Sequence, residues 1–135
     1  MKPYLLPEDI SVYCIRAASF PDGVLAAHQQ LHALLPFSAE RGYFGLSRPE
    51  NGSIEYYAAA SECIPGELSG KDLKEIIIRS GTYNSITIEH YMRDTAAIGE
   101  AFRQLIADPG IDPQGYCVEW YLTQETVRCM VRLQA

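Results

Sequence analysis

The stretch Cys117-Val118-Glu119-Trp120-Tyr121-Leu122 is where residue type and spacing point most directly to chemistry. In a strand, alternate side chains face opposite ways, so Val118, Trp120 and Leu122 share one face and Cys117, Glu119 and Tyr121 the other. The first set suits packing beneath a helix, which puts the second on the helix-free side. A carboxylate between a thiol and a phenol there is either in water or enclosed in an aromatic hollow. Enclosure disfavours the charged form unless something pairs with it, and a cationic or hydrogen-bond-donating ligand would do so. Glu119 is therefore the expected polar anchor of a binding site, with Tyr121 beside it.

Nine tyrosines and one tryptophan strengthen that expectation. Tyr43, Tyr57, Tyr83, Trp120 and Tyr121, with Tyr56, Tyr91 and Tyr116, fall on or beside apparent strands. Such rings offer apolar area, a negative face for cations and a polar tip. Tyrosine is also favoured in strands whatever a protein does, so the rings alone do not define a site.

Other constellations carry less. His28 and His32 are four residues apart on one side of a helix, but Gln29 and Gln30 follow the first, and zinc needs three or four ligands. They read as partly buried structural histidines, and no metal or cofactor is implied. Cys14, Cys63, Cys117 and Cys129 contain no C-x-x-C pair and read as small hydrophobes within β-like runs. The glycines Gly42, Gly45, Gly52, Gly66 and Gly70 match no phosphate-loop spacing.

The elements that must position these groups are legible from periodicity. Ile10 to Ala17 reads as a strand. A helix follows, with Ser19 as candidate cap and apolar positions Val24, Ala27, Leu31, Leu34 and Leu35. Tyr43 to Ser47 and Ile54 to Cys63 read as a hairpin around Pro49-Glu50-Asn51-Gly52. Lys71 to Lys74 reads as solvated loop. Glu75 to Arg79 and Tyr83 to Glu89 are β-rich, and Ala97, Ile98, Ala101, Phe102, Leu105 and Ile106 make a helical stripe capped by Asp94 or Thr95. Cys117 to Leu122 and Val127 to Leu133 close the chain as a hairpin.

The expected fold is α+β, a single domain over 1–135. Two β-α-β-β units, 1–64 and 75–135, are joined by 65–74, with antiparallel sheets, one main helix each and a groove between the halves. A ferredoxin-like sheet with an extra hairpin is the alternative. The 135 residues, 47% hydrophobic and 21% charged, suit one globular core. Eleven basic against seventeen acidic side chains give a net charge of -6, with no basic stripe, which argues against nucleic acid. No apolar run approaches the ~18 residues a membrane span needs, and nothing resembles a signal-peptide core, so the chain reads as cytoplasmic.

Several segments together resemble one family. Gly81-Thr82-Tyr83, Ile98-Gly99-Glu100-Ala101-Phe102, Gly115-Tyr116 and Val118 to Leu122, with Tyr43 to Leu46 and Tyr57 to Glu62, are similar to the effector-binding domain superfamily. That group includes gyrase-inhibitor-like small-molecule-binding proteins and the ligand-sensing domains of bacterial transcription activators. The resemblance implies a pseudo-twofold and a ligand groove, and the glutamate that contacts cations in multidrug-sensing members maps onto Glu119. The chain departs from the pattern between Tyr83 and Ile98, where Tyr91-Met92-Arg93 replaces the usual glycine.

The expected function is capture of an aromatic or cationic organic compound, as sensor or sequestering protein without its own DNA-binding domain. The expected ligand-binding residues are Glu119, Tyr121, Tyr57, Tyr43, Tyr83 and Trp120. The reading leans away from catalysis. Its alternatives are hydrolysis of cyclopropane-type genotoxins in the same pocket, with Glu119 activating water, or modulation of a protein partner such as gyrase or a regulator.

Overall fold

The computed structural model describes residues 1–134. In chain order the elements are β1 (Lys2–Leu6), β2 (Ile10–Arg16), α1 (Val24–Leu34), β3 (Tyr43–Glu50), β4 (Ser53–Ser61), β5 (Lys74–Ile78) and β6 (Gly81–Glu89). A 3-10 turn (Tyr91–Arg93), α2 (Ala96–Ile106), β7 (Cys117–Tyr121) and β8 (Thr126–Arg132) complete the chain. The eight strands form one antiparallel sheet in the order β1-β6-β8-β7-β3-β4-β2-β5, a continuous sheet where separate ones were expected. It is continuous because β3 and β7 pair directly, from Tyr43 opposite Tyr121 to Ser47 opposite Cys117.

Connectivity alone shows that this sheet is rolled. β5 and β6 stand six strand spacings apart, about 29 Å if the sheet were flat. Only Arg79 and Ser80 join them, and three Cα steps reach about 11 Å. The seam is held by Tyr83 Oη donating to the Arg79 carbonyl at 2.6 Å and Arg132 Nε donating to the Ser80 carbonyl at 2.9 Å.

Rolling gives the sheet an inner and an outer face. The inner face encloses the largest core, including Val12, Phe44, Leu46, Val118 and Met130. Both helices lie outside. Ala27, Leu31 and Leu35 of the α1 region pack against Tyr13, Ala58 and Ala60, and Ala101 and Leu105 of α2 pack against Val127, Cys129 and Val131. Directly opposed residues share a face, so the register Ala58–Gly45–Glu119–Cys129 puts Glu119 on the outer face. This corrects the sequence expectation. Alternation separates Glu119 from Trp120 as predicted, but the helices cover the Glu119 side, and Val118 and Trp120 face a core made by the sheet closing on itself.

Smaller differences have local causes. β1, read only as a proline-bearing terminus, is an edge strand on β6, where one side has no partner and proline is tolerated. Asn51 and Gly52, with φ of 53° and 82°, close β3 onto β4 as a two-residue turn, so Pro49 and Glu50 stay paired. Ser19 does not cap α1. Gly23 holds the cap position, and its N–H donates to the Ser19 carbonyl. Lys74 belongs to β5 and not to a loop, and Cys63 lies past the end of β4, exposed. Neither helix is long and apolar enough to cross a membrane.

Candidate functional site: a groove between the helices

Helix placement creates the site. α1 sits mainly over β4 and β2 while α2 sits mainly over β8 and β6, so the middle strands β3 and β7 run between the two helices. The gap is a groove of about 1230 Å³. Its floor includes Tyr43, Ser47, Tyr56, Cys117, Glu119 and Tyr121, and its walls come from α1, α2 and the 3-10 turn. Large apolar side chains that would otherwise be anomalous on a surface, among them Phe20, Leu25, Phe37, Met92 and Ile106, form its rim.

Among the described residues Glu119 is the one acidic group lining this groove, and only 8% of it is exposed. Its Oε1 accepts a hydrogen bond from Tyr56 Oη at 3.1 Å and another from Tyr121 Oη. Among the described residues Oε2 accepts no hydrogen bond, yet it is not fully buried, which leaves it open to the groove that Glu119 lines. Burial pushes the carboxyl pKa up, and the Tyr121 and Tyr56 hydroxyls pull it partly back. The same burial, with the Glu119 charge nearby, raises both tyrosines above their ordinary range and keeps them protonated donors. The Cys117 thiol is pushed up to about 11 by burial and by Glu119.

Aromatic rings surround the carboxylate. Phe20 stacks on Tyr56 with centroids 5.9 Å apart, and His28 meets Tyr121 edge-on at 5.7 Å. Tyr91 lies 5.6 Å from Tyr121. Further along, Tyr43 stacks with His32 at 4.9 Å and with Phe37 at 5.8 Å. His28 Nε2 is 2.8 Å from Tyr56 Oη, and burial, with His32 nearby, drives the His28 pKa down to about 4, so its ring is neutral. The result is an apolar, ring-walled channel with one buried negative group. That combination can hold a flat cation by charge, by ring faces and by desolvation.

Of the six expected ligand-binding residues, the structure gathers Glu119, Tyr121 and Tyr43 in the groove and puts Tyr57, Trp120 and Tyr83 elsewhere. Trp120 packs on Phe44 at 5.2 Å and on Tyr4 at 6.1 Å across the inner face. Tyr57 is buried in the inner core and accepts a hydrogen bond from Lys74 Nζ. Tyr83 lines a separate cavity of about 480 Å³ with Tyr116 and Arg132. All three belong to the inner core, the face that alternation sets opposite Glu119 whichever side the helices cover. Tyr56, His28 and Gly45 are the residues that sequence reasoning missed. The spacing of His28 and His32 placed them on one helix side but gave no partner, and nothing near Gly45 in sequence marks it.

No protein-family model matches this chain, and no curated protein matches it by sequence. Among solved structures it is similar to an integron cassette protein from the mobile metagenome of Vibrio cholerae. The two share 12% sequence identity and a TM-score of 0.69, over 98% of this chain and 95% of that one. At that identity the likeness establishes the fold alone: an α+β chain with a curled antiparallel sheet.

Proposed function

We propose that this protein captures a flat, cationic organic molecule in the groove between α1 and α2, with Glu119 as its charged anchor. The observation that carries the reading is the free Glu119 Oε2 at the floor of an aromatic channel, the accessible oxygen of a carboxylate only 8% exposed, whose other oxygen already has two donors. Leaving it unpaired is costly, and a cation relieves that cost while its rings meet Tyr121, Tyr91 and Phe20. The strand order supports a pseudo-twofold through the β3–β7 pair, with β2-α1-β3-β4 and β6-α2-β7-β8 as corresponding units. With it comes the effector-binding superfamily reading of a sensor or sequestering module.

The test uses two ligands of the same shape, N-methylacridinium, a permanent cation, and acridine at a pH where it is neutral. Both should raise the melting temperature. Glu119→Gln should weaken N-methylacridinium by roughly thirtyfold or more and change acridine little. Equal effects on the two, or none on the cation, defeat the reading. A second reading, hydrolysis of a reactive cyclopropane-type compound, rests on the raised pKa of the same carboxyl, which suits a general base. It requires turnover that disappears in Glu119→Gln.

A further inference from the structure

Tyr56 has one hydroxyl proton; the Tyr121 hydroxyl beside it acts as a donor, which leaves two neighbours that could take that proton. His28 Nε2 is 2.8 Å away on one side, and Glu119 Oε1 is 3.1 Å away on the other. A neutral imidazole carries its proton on one nitrogen only, so the tautomer of His28 decides where the tyrosine proton goes. If Nε2 is bare it competes with the carboxylate for that proton. If Nε2 carries hydrogen it donates to Tyr56, whose proton is then left for Glu119.

We propose that His28 is a positioning residue for the groove: its Nε2–H donates to Tyr56 and turns the tyrosine hydroxyl onto Glu119, holding that carboxylate charged toward a bound cation. The inference rests on the cation-binding reading above and deepens it. The surroundings leave few competitors. The other titratable groups facing the cluster are His32 from α1, Cys117 and Tyr121 from β7, Cys129 from β8 and Tyr91 from the 3-10 turn. Both thiols and both tyrosines are shifted upward and stay neutral. The arginines that line the groove are engaged elsewhere, Arg41 with Glu67, Arg48 near Glu55 and Arg103 with Glu100. The second hydrogen bond to Oε1 is therefore supplied by Tyr56, and its direction is fixed from behind by His28.

The deciding measurements are made on the ligand-free protein. Imidazole nitrogen NMR should show hydrogen on His28 Nε2, and the carboxyl carbon of Glu119 should give its titration midpoint. His28→Phe keeps a ring against Tyr56 and Tyr121 but removes the donor. It should move the Glu119 midpoint upward and weaken N-methylacridinium by about five- to tenfold, with acridine unchanged. His28→Gln, whose amide can donate from a similar position, should restore both. Hydrogen on Nδ1 with a bare Nε2 overturns the proposal, as does an unmoved Glu119 midpoint in His28→Phe. Should the phenylalanine variant not fold, the tautomer in the unaltered protein still decides. An Nε2–H tautomer and a shifted midpoint without cation binding would uphold His28's role and strike the binding reading alone.

Discussion

Gly45 stands directly opposite Glu119 across the β3–β7 pair, and the side chain it lacks is the space in which the Tyr56 hydroxyl meets the carboxylate. A Cβ at position 45 would lie 2.1 Å from Tyr56 Oη and 2.8 Å from Glu119 Oε1. The hydrogen-bonded cluster and this strand glycine are thus one feature.

Gly45→Ala should therefore expel the Tyr56 hydroxyl and leave Glu119 with Tyr121 alone. Alanine normally stabilises a strand relative to glycine, but here overpacking should dominate, with a net loss of about 1–3 kcal/mol. Urea unfolding measures that loss, and cation affinity should fall by more than the affinity for a neutral ligand of the same shape. A variant as stable as the parent, with cation binding intact, would show that Tyr56 does not need this space.

How much of this was legible in sequence follows from what local pattern encodes. Alternation put Cys117, Glu119 and Tyr121 together, and helical spacing found α1 and α2 within a few residues, because both signals are written along a single element. Which face of β7 the helices cover is set by the rolling of the whole sheet. With Val118 and Trp120 as apolar as any helix-contacting set, nothing local chose between the two. Tyr56 was visible as a tyrosine, but its place beside Glu119 depends on the β4–β3–β7 register, fixed by the Asn51-Gly52 turn and the central pairing. Gly45 has meaning only once that register is known.

Glu119 also predicts a pH dependence whose sign is fixed by its raised pKa. The folded protein binds the carboxyl proton more tightly than the unfolded chain, where the ordinary value is 4.5. The stabilisation is fully present below that value and is lost as pH rises through the folded pKa. In the ligand-free protein, the stability difference between parent and Glu119→Gln should therefore shift against the parent as pH rises across that window. A bound cation should reverse the trend for the parent, because it favours the charged form. Urea midpoints across pH, with and without N-methylacridinium, read both effects, and a difference that does not vary with pH would contradict the raised pKa.

The inward-facing aromatics give a negative control for the groove. Trp120→Phe should cost about 1–3 kcal/mol through lost packing against Phe44 and Tyr4 and a weakened contact with the Arg128 guanidinium, 5.4 Å from the indole. Tyr57→Phe should cost about 1 kcal/mol by removing the acceptor for Lys74 Nζ at 3.0 Å. Both variants should bind N-methylacridinium as the parent does when measured well below their melting temperatures. A selective loss of affinity in either would return ligand contact to the inner face.

The four cysteines offer a chemical readout of the same geometry, because the thiolate is the form that reacts. Cys63 is exposed, whereas burial pushes Cys14 and Cys129 up to about 12 and Cys117 up to about 11. In the native protein one thiol, Cys63, should react quickly with a maleimide. Cys14 and Cys129 should wait for unfolding. Cys117 lines the groove and should label slowly, at a rate that rises with pH and falls when N-methylacridinium is bound. Peptide mapping after timed labelling separates the four. Protection of Cys117 without protection of Cys63 would locate the ligand over the β3–β7 seam, and equal labelling of Cys117 with and without ligand would place it elsewhere on the molecule.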